Sequence, residues 1–417
     1  MKYYEFNGLR VSEPNNKKRK KAKKTKLKAK TKIKEPMSRK KIINICIGVF
    51  LLVFFTISAT LYSNHEPTKE FLDKYVFRKD VYENNLPFIV IDSVNAENIY
   101  AYGKNIMILH QNSLRVYNKM GVEEYNIDVK IKKPLFASKG NYLCLADKGG
   151  NKIYLISGRN IIWQKDLEGS ISNICINKNG FIAVSIADTS YKTIVETYDN
   201  SGTRLFRQYL STSNVIDIDI SGDNKSLAIA EANFTGAVIQ SSVKIISIEE
   251  AKKNSTSSIV YSGIANPGDL IVNIEYNNRN NLICMYDGRV DCVKNNQNEE
   301  VINFSSEDIL FVDIGLNSGI VKVKKKPTGL FSAEAELKII NSNTMENKSI
   351  YTIEGIPQKI YTYDTMICIN LGTEVLFING NGWLTKRYRS SQEIKDVVMC
   401  DGVAGIIYKD RVEIISL

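Results

Sequence analysis

From residue 88 to the C-terminus, short runs rich in Ile, Val, Tyr and Phe alternate with Gly, Asn, Asp and Ser turns, and no long helical period interrupts them. β-branched and aromatic side chains suit a pleated, half-buried surface, and clustered turn residues end each run, so the pattern predicts an all-β domain. Two other patterns precede it. Ile42 to Tyr62 (IINICIGVFLLVFFTISATLY) is 21 residues with no ionisable group except the terminal Tyr. A helix of that length spans roughly 31 Å, which matches a hydrocarbon core of about 30 Å. Between them, Thr68 to Tyr82 (TKEFLDKYVFRKDVY) places Phe71, Leu72, Tyr75 and Val76 on one side of a short amphipathic helix, expected to be a stalk packed on the β domain.

The apolar runs come in sets of four. Two runs joined by a Gly- or Asn-containing turn recur as Ile174-Cys-Ile-Asn-Lys-Asn-Gly180, Ile216-Asp-Ile-Asp-Ile-Ser-Gly222 and Ile309-Leu-Phe-Val-Asp-Ile-Gly315, each followed by a second apolar run. A third strand follows, as in Lys152-Ile-Tyr-Leu-Ile and Glu374-Val-Leu-Phe-Ile, and then a more polar fourth, clearest in Asn160-Ile-Ile-Trp-Gln-Lys-Asp-Leu. Units starting near residues 96, 133, 170, 214, 269, 307, 358 and 393 have the length of propeller blades. The last unit has room for only three strands, and Phe88-Ile-Val-Ile-Asp92 supplies a fourth from upstream. Closing the ring this way removes an open sheet edge. The predicted fold is therefore an all-β propeller of eight four-stranded blades, with seven as the alternative count, closed by an N-terminal strand and preceded by one transmembrane α-helix.

Charge divides the chain. Met1 to Lys41 holds 17 Lys and Arg against Glu5, Glu13 and Glu35, whereas the other 376 residues hold 39 basic and 42 acidic side chains, so all the positive excess of the +11 net charge lies in the tail. A basic groove for nucleic acid on the folded domain is not indicated. Lys17 to Lys34 is 12 parts Lys or Arg in 18, with almost nothing to bury, and is expected to be disordered. The organisation read from these features is a polybasic cytosolic tail over 1–41, a transmembrane helix over 42–62, a stalk over 63–87 and an extracytoplasmic propeller over 88–417.

The long basic leader, the length of the apolar run and the absence of an A-x-A site before Ser63 argue for an anchor over a cleaved signal peptide. Arg39, Lys40 and Lys41 crowd one flank, while Ser63-Asn-His-Glu-Pro67 forms the other, so the positive-inside rule places the N-terminus in the cytosol and the C-terminal domain outside the plasma membrane. Lys17, Lys18, Arg19, Lys20 and Lys21, with Arg39, Lys40 and Lys41, are the expected topology determinants and contacts to anionic lipid.

Chemistry is sparse. Six of the seven Cys are single residues within apolar runs, as buried free thiols are. If Asp287-Gly288 is a two-residue turn, Cys284 stands opposite Asp291 and Cys292 points to the other sheet face, so those two are poorly placed for a disulfide. With only His65 and His110, and no CxxC pair, no structural zinc site is predicted. No P-loop, nucleophile elbow, Rossmann fingerprint or H-E-x-x-H site occurs, so no cofactor and no catalytic residue is predicted, and the chain is read as a non-enzyme. Asp217 and Asp219 share one face of a strand, where Asp is expected to bond turn amides.

The blade pattern resembles the WD40-like and quinoprotein-like propellers, and the layout is similar to a family of unknown function from low-GC Gram-positive bacteria with a short cytosolic N-terminus, one membrane helix and an extracytoplasmic propeller. WD dipeptides are absent, and with only Trp163 and Trp383, both expected in fourth strands, tryptophan docking repeats are absent too, so no quinone chemistry is implied. What remains is an interaction scaffold or ligand-recognition module at the cell envelope, binding a protein or glycan. The alternatives are an envelope enzyme at the propeller channel and a sensor signalling through the basic tail. Three loops between second and third strands are extended: Ala187–Tyr191, Ala232–Gln240 and Lys325–Phe331. Each carries an aromatic, and Tyr191, Phe234 and Phe331 are the candidate interaction face.

Overall fold

The apolar run near the N-terminus forms a helix over Arg39–Asn64, with its longest apolar stretch at Ile43–Ser63. The structure is a computed structural model and describes residues 39–64, 66–77, 79–82, 86–91, 95–255, 257–304, 308–326 and 333–417. Lys17, Lys18, Arg19, Lys20, Lys21 and Phe331 lie outside the described residues. Arg39, Lys40 and Lys41 form the first turn of the helix. Three of its hydroxyls bond back to the helix itself: Thr56 Oγ1 donates to Val53 O at 2.9 Å, Thr60 Oγ1 to Thr56 O at 2.8 Å and Ser63 Oγ to Ala59 O at 2.8 Å. A hydroxyl satisfied in this way needs no water, which suits a hydrocarbon surrounding. The helix is long and apolar enough to cross a membrane.

The second unit, residues 70–417, is built of eight sheets in chain order, each with four antiparallel strands and one with a fifth, the arrangement of an eight-bladed propeller. The first strands begin at Ile99, Pro134, Ser170, Asn214, Ile271, Ile309, Lys359 and Asp396, each within three residues of its expected start. We number the blades one to eight in that order. Blade eight has three strands of its own, and its fourth is Phe88–Val90, paired antiparallel with Phe88 opposite Glu413 and Ile89 opposite Val412. The count is therefore eight, and the upstream strand closes the ring.

The second and third strands of the blades are largely buried on both faces because both faces are covered. Eight separate buried clusters form the core, and each is shared by two neighbouring blades, including the pair formed by blades eight and one. Ile89 and Ile91 belong to the closing cluster, with Ile99, Ile108, Val412 and Ile414. Stability thus depends on every neighbour being present. Asparagines add polar stitching between the turns that join first to second strands. Asn177 Nδ2 donates to Ser221 O at 2.9 Å, Asn179 Nδ2 to Gly222 O at 3.0 Å, and Gly222 N to Asn280 Oδ1 at 2.9 Å.

Several local features depart from the sequence reading. Asp80–Tyr82, assigned to the stalk, is a fifth strand of blade seven, parallel to Leu384–Arg389. Within the short helical segment ahead of it, Asp73 is the buried residue and pairs with Lys79 at 2.9 Å, while Phe71 and Val76 are exposed. Of the apolar side chains expected to pack there, Phe71 and Val76 face solvent and Leu72 is half-buried. A six-residue helix, Ile248–Lys253, enters blade four between its third and fourth strands, capped by Ser247 and carrying Glu249 and Glu250 in its first turn. Trp383 sits in the turn before a fourth strand, not within it. The Asp287-Gly288 hairpin has the expected register: Cys284 faces Asp291, Ile283 faces Cys292, and all seven Cys are free.

Candidate functional site: the loop rim and the central channel

Tyr191 and Phe234 sit at the tips of the loops joining second to third strands in blades three and four. Consecutive antiparallel sheets in a ring open such loops on one side, so the two tips belong to neighbouring blades on the same rim. Tyr191 is 38% exposed and Phe234 48%. Both loops are stiffened by side chains that take over turn amides: Asp188 Oδ1 accepts from Ser190 N and Tyr191 N at 2.7 and 3.1 Å, and Asn233 Oδ1 accepts from Thr235 N at 2.9 Å. Tyr191 also leans on Tyr209 of its own blade, with ring centroids 4.7 Å apart. Phe234 is joined on the surface by Val238 of the same loop.

A second polar centre, which no sequence motif marks, lies in the channel. The first strands of neighbouring blades lie alongside one another around the axis, which makes them the innermost strands. An innermost strand has no partner on its axial side, so its outward amides need acceptors. Aspartates of blade four supply them. Asp217 accepts from Ile274 N at 3.0 Å and from Asn173 Nδ2 at 3.1 Å, and Asp219 accepts from Tyr276 N at 2.7 Å. These are strand amides of the next blade, not the turn amides expected. Further round, Asp313 accepts from Thr362 Oγ1 at 2.6 Å, and Tyr100 pairs with Ser138 at 3.1 Å. Lys139 of blade two reaches Glu275 of blade five at 3.0 Å.

Electrostatics follow from this crowding. Burial lifts the Asp217 carboxyl from its ordinary 3.8 to about 6, against the pull of its amide donors. Burial lifts Asp219 as well; Lys139 draws it down while Glu275 pushes it up. For Lys139, burial works against the charge, but Glu275 and Asp219 outweigh it and hold the amine cationic. Among the described residues, no group of three or more His, Cys, Asp or Glu is arranged to hold a metal ion. His110, the sole histidine of the ring, ends the second strand of blade one.

A raised carboxyl binds its proton more tightly in the folded chain than in the unfolded one. Stability from such a group is complete below the unfolded pKa near 4 and is lost as pH rises through the folded value. Asp217 therefore predicts a decline in unfolding free energy between about pH 4 and about pH 6. Asp217→Asn with Asp219→Asn keeps an oxygen for each amide and removes the ionisation. Denaturation of the full chain across that window is expected to show a flatter pH dependence in the double variant.

Fold and sites together define an eight-bladed β-propeller that carries an N-terminal helix fit to cross a membrane. The model of a family of unknown function, DUF5711, matches residues 81–417, and the chain belongs to that family. No curated protein matches it by sequence. Among solved structures it is similar to Sqt1 from Saccharomyces cerevisiae, at 9% identity and TM-score 0.54 over 81% of this chain and 100% of that one. Sqt1 from Chaetomium thermophilum gives 11% identity and TM-score 0.51 over 80% and 99%. BamB from Moraxella catarrhalis gives 10% identity and TM-score 0.46 over 79% and 100%. The likeness to the two Sqt1 proteins is one of fold.

Proposed function

We propose that this chain is a single-pass protein of the plasma membrane, with its N-terminus in the cytosol and its propeller displayed outside as a scaffold that binds a protein or glycan. The layout read from the sequence, which resembles that of a low-GC Gram-positive family, supports this reading. Arg39, Lys40 and Lys41 at the start of the helix support the orientation, since the positive-inside rule puts a cationic flank in the cytosol. The observation that carries the binding role is the pair of exposed aromatics, Tyr191 and Phe234, on stiffened loops of adjacent blades. Rigid aromatic tips lose little conformational freedom on contact and are favoured anchors.

The test is crosslinking in intact cells, comparing the wild-type chain with a variant carrying Tyr191→Ala, Phe234→Ala and Phe331→Ala. The crosslinked species is expected to disappear while the melting temperature holds, since side chains as exposed as Tyr191 and Phe234 contribute little to the core. Unchanged recovery of the same species would sink the loop-rim assignment. A second reading, an envelope enzyme, is favoured by the convergence of Asp217, Asp219, Glu275 and Lys139 in the channel. Each of those carboxylates already serves an amide or an amine, so the scaffold reading stands first.

A further inference from the structure

The fourth strand of each blade is an edge, and an edge with free amides and apolar side chains invites another strand. Most edges of this ring are guarded. Blades one, two, three, five and six carry charges within their fourth strands: Glu123 and Asp128, Lys165 and Asp166, Arg204 and Arg207, Glu299 and Glu300, Lys348 and Glu354. Blade seven is charged and also covered by Asp80–Tyr82. Blade eight offers only three residues, and Gly121 of blade one presses on the outward carbonyl of Phe88 so closely that a Cβ there would lie 2.6 Å from it.

Blade four is different. Its fourth strand, Ile259–Ile264 (IVYSGI), has no charged residue, and none of its six positions is buried. Ile264 is 73% exposed. Ala265 N donates to Ser241 O, which sets the alternation of the ladder: Gly263 and Tyr261 bond inward to the third strand, and the amide and carbonyl groups of Ser262 and Ile264 point away from the blade. Among the described residues no strand pairs with that side. The loop bearing Phe234 and Val238 stands at the same end, since Gln240 Nε2 donates to Ala265 O at 2.9 Å.

We propose that the outer edge of blade four receives an extended, uncharged segment of a partner protein by strand addition. This deepens the scaffold reading and rests on it. The chain shows the matching rule on blade seven, where the cationic edge of Lys386, Arg387 and Arg389 takes in a strand led by Asp80, which lies 3.8 Å from Arg389. By the same rule an edge of Ile259, Val260 and Ile264 takes in a strand without charges, with alternate side chains meeting Ile264 and the loop that holds Val238.

The test uses the full chain in nanodiscs and a short synthetic peptide alternating valine and threonine, read by hydrogen exchange. The amide of Ile264 is expected to slow by at least about tenfold when peptide is added. Ser262→Pro leaves the inward ladder intact while removing an outward donor, and is expected to abolish the slowing. Asn126→Pro, at an outward position of the blade-one edge, is expected to preserve it. A lysine-for-threonine peptide is expected to bind at least about tenfold more weakly. No slowing at Ile264, or equal slowing in both proline variants, would overturn the proposal. Slowing that follows chain concentration without peptide would overturn it in favour of pairing between two copies. Because the peptide replaces any natural partner, failure here leaves the loop-rim result in cells to be judged separately.

Discussion

Ile89→Asp is expected to prevent the ring from closing and to leave the chain without a cooperative melting transition. Ile89 is 4% exposed and packs in the cluster that joins blade eight to blade one. Removing its side chain alone costs about 2–5 kcal/mol, and an unpaired carboxylate in its place adds several more, which together approach the ~5–15 kcal/mol net stability of a typical domain. Val90, next along the same strand, points outward and is 66% exposed. Val90→Asp therefore serves as the register control, with an expected cost of about 1 kcal/mol or less. Circular dichroism melts of the two full-length variants distinguish them. Equal loss in both would mean that Phe88–Val90 does not close the ring in the register described.

Glu413→Ala is expected to cost about 3–5 kcal/mol, because it removes the buried carboxylate that both Arg411 and Tyr388 engage and leaves the largely buried Arg411 to the solvent-exposed Asp410. The carboxylate is 4% exposed, accepts from Arg411 Nε at 2.7 Å, and is held by the Tyr388 hydroxyl, which also meets Tyr408. Burial, together with Glu413 and Tyr408, keeps the Tyr388 phenol protonated, so that it remains a donor to Glu413. The cluster ties blade seven to the closing blade. Tyr388→Phe removes one hydrogen bond and keeps the ring, so about 1 kcal/mol is expected there. Equilibrium denaturation of the two variants gives the comparison. A loss at Glu413→Ala no larger than that at Tyr388→Phe would contradict the charge-pair account.

The parts of the fold that depend on local pattern were legible in the chain. Each blade repeats a run, a turn and a run over a short stretch, and that pattern marks the first strands at Ser170 and Asn214 and the closing strand at Phe88. Long-range pairing without a turn left no such mark. Asp80–Tyr82 pairs in parallel with residues near the other end of the chain, and three residues carry too little pattern to announce it. The helix Ile248–Lys253 did carry a signal, Ser247 followed by Glu250, that marks a helix start.

Of the candidate site, the tips at Tyr191 and Phe234 could be read from loop length and composition. The channel centre could not. Lys139 and Glu275 are brought together only by ring closure, and the strand amides that engage Asp217 and Asp219 are exposed by the propeller's own geometry. The uncharged edge of blade four was equally hidden, because its meaning rests on comparison with the seven other edges.

The most direct test of the account asks which side of the membrane each end of the chain occupies. The six cysteines of the propeller are buried, so a surface cysteine introduced as Lys119→Cys stands out against a low background, with Cys46→Ser removing the thiol of the apolar helix. A second variant carries Thr25→Cys in the basic tail. With a membrane-impermeant maleimide added to intact protoplasts, the Lys119→Cys chain is expected to label at once and the Thr25→Cys chain only after lysis. Labelling of the tail in intact protoplasts, with the propeller cysteine protected until lysis, would contradict an anchored propeller displayed outside the cell.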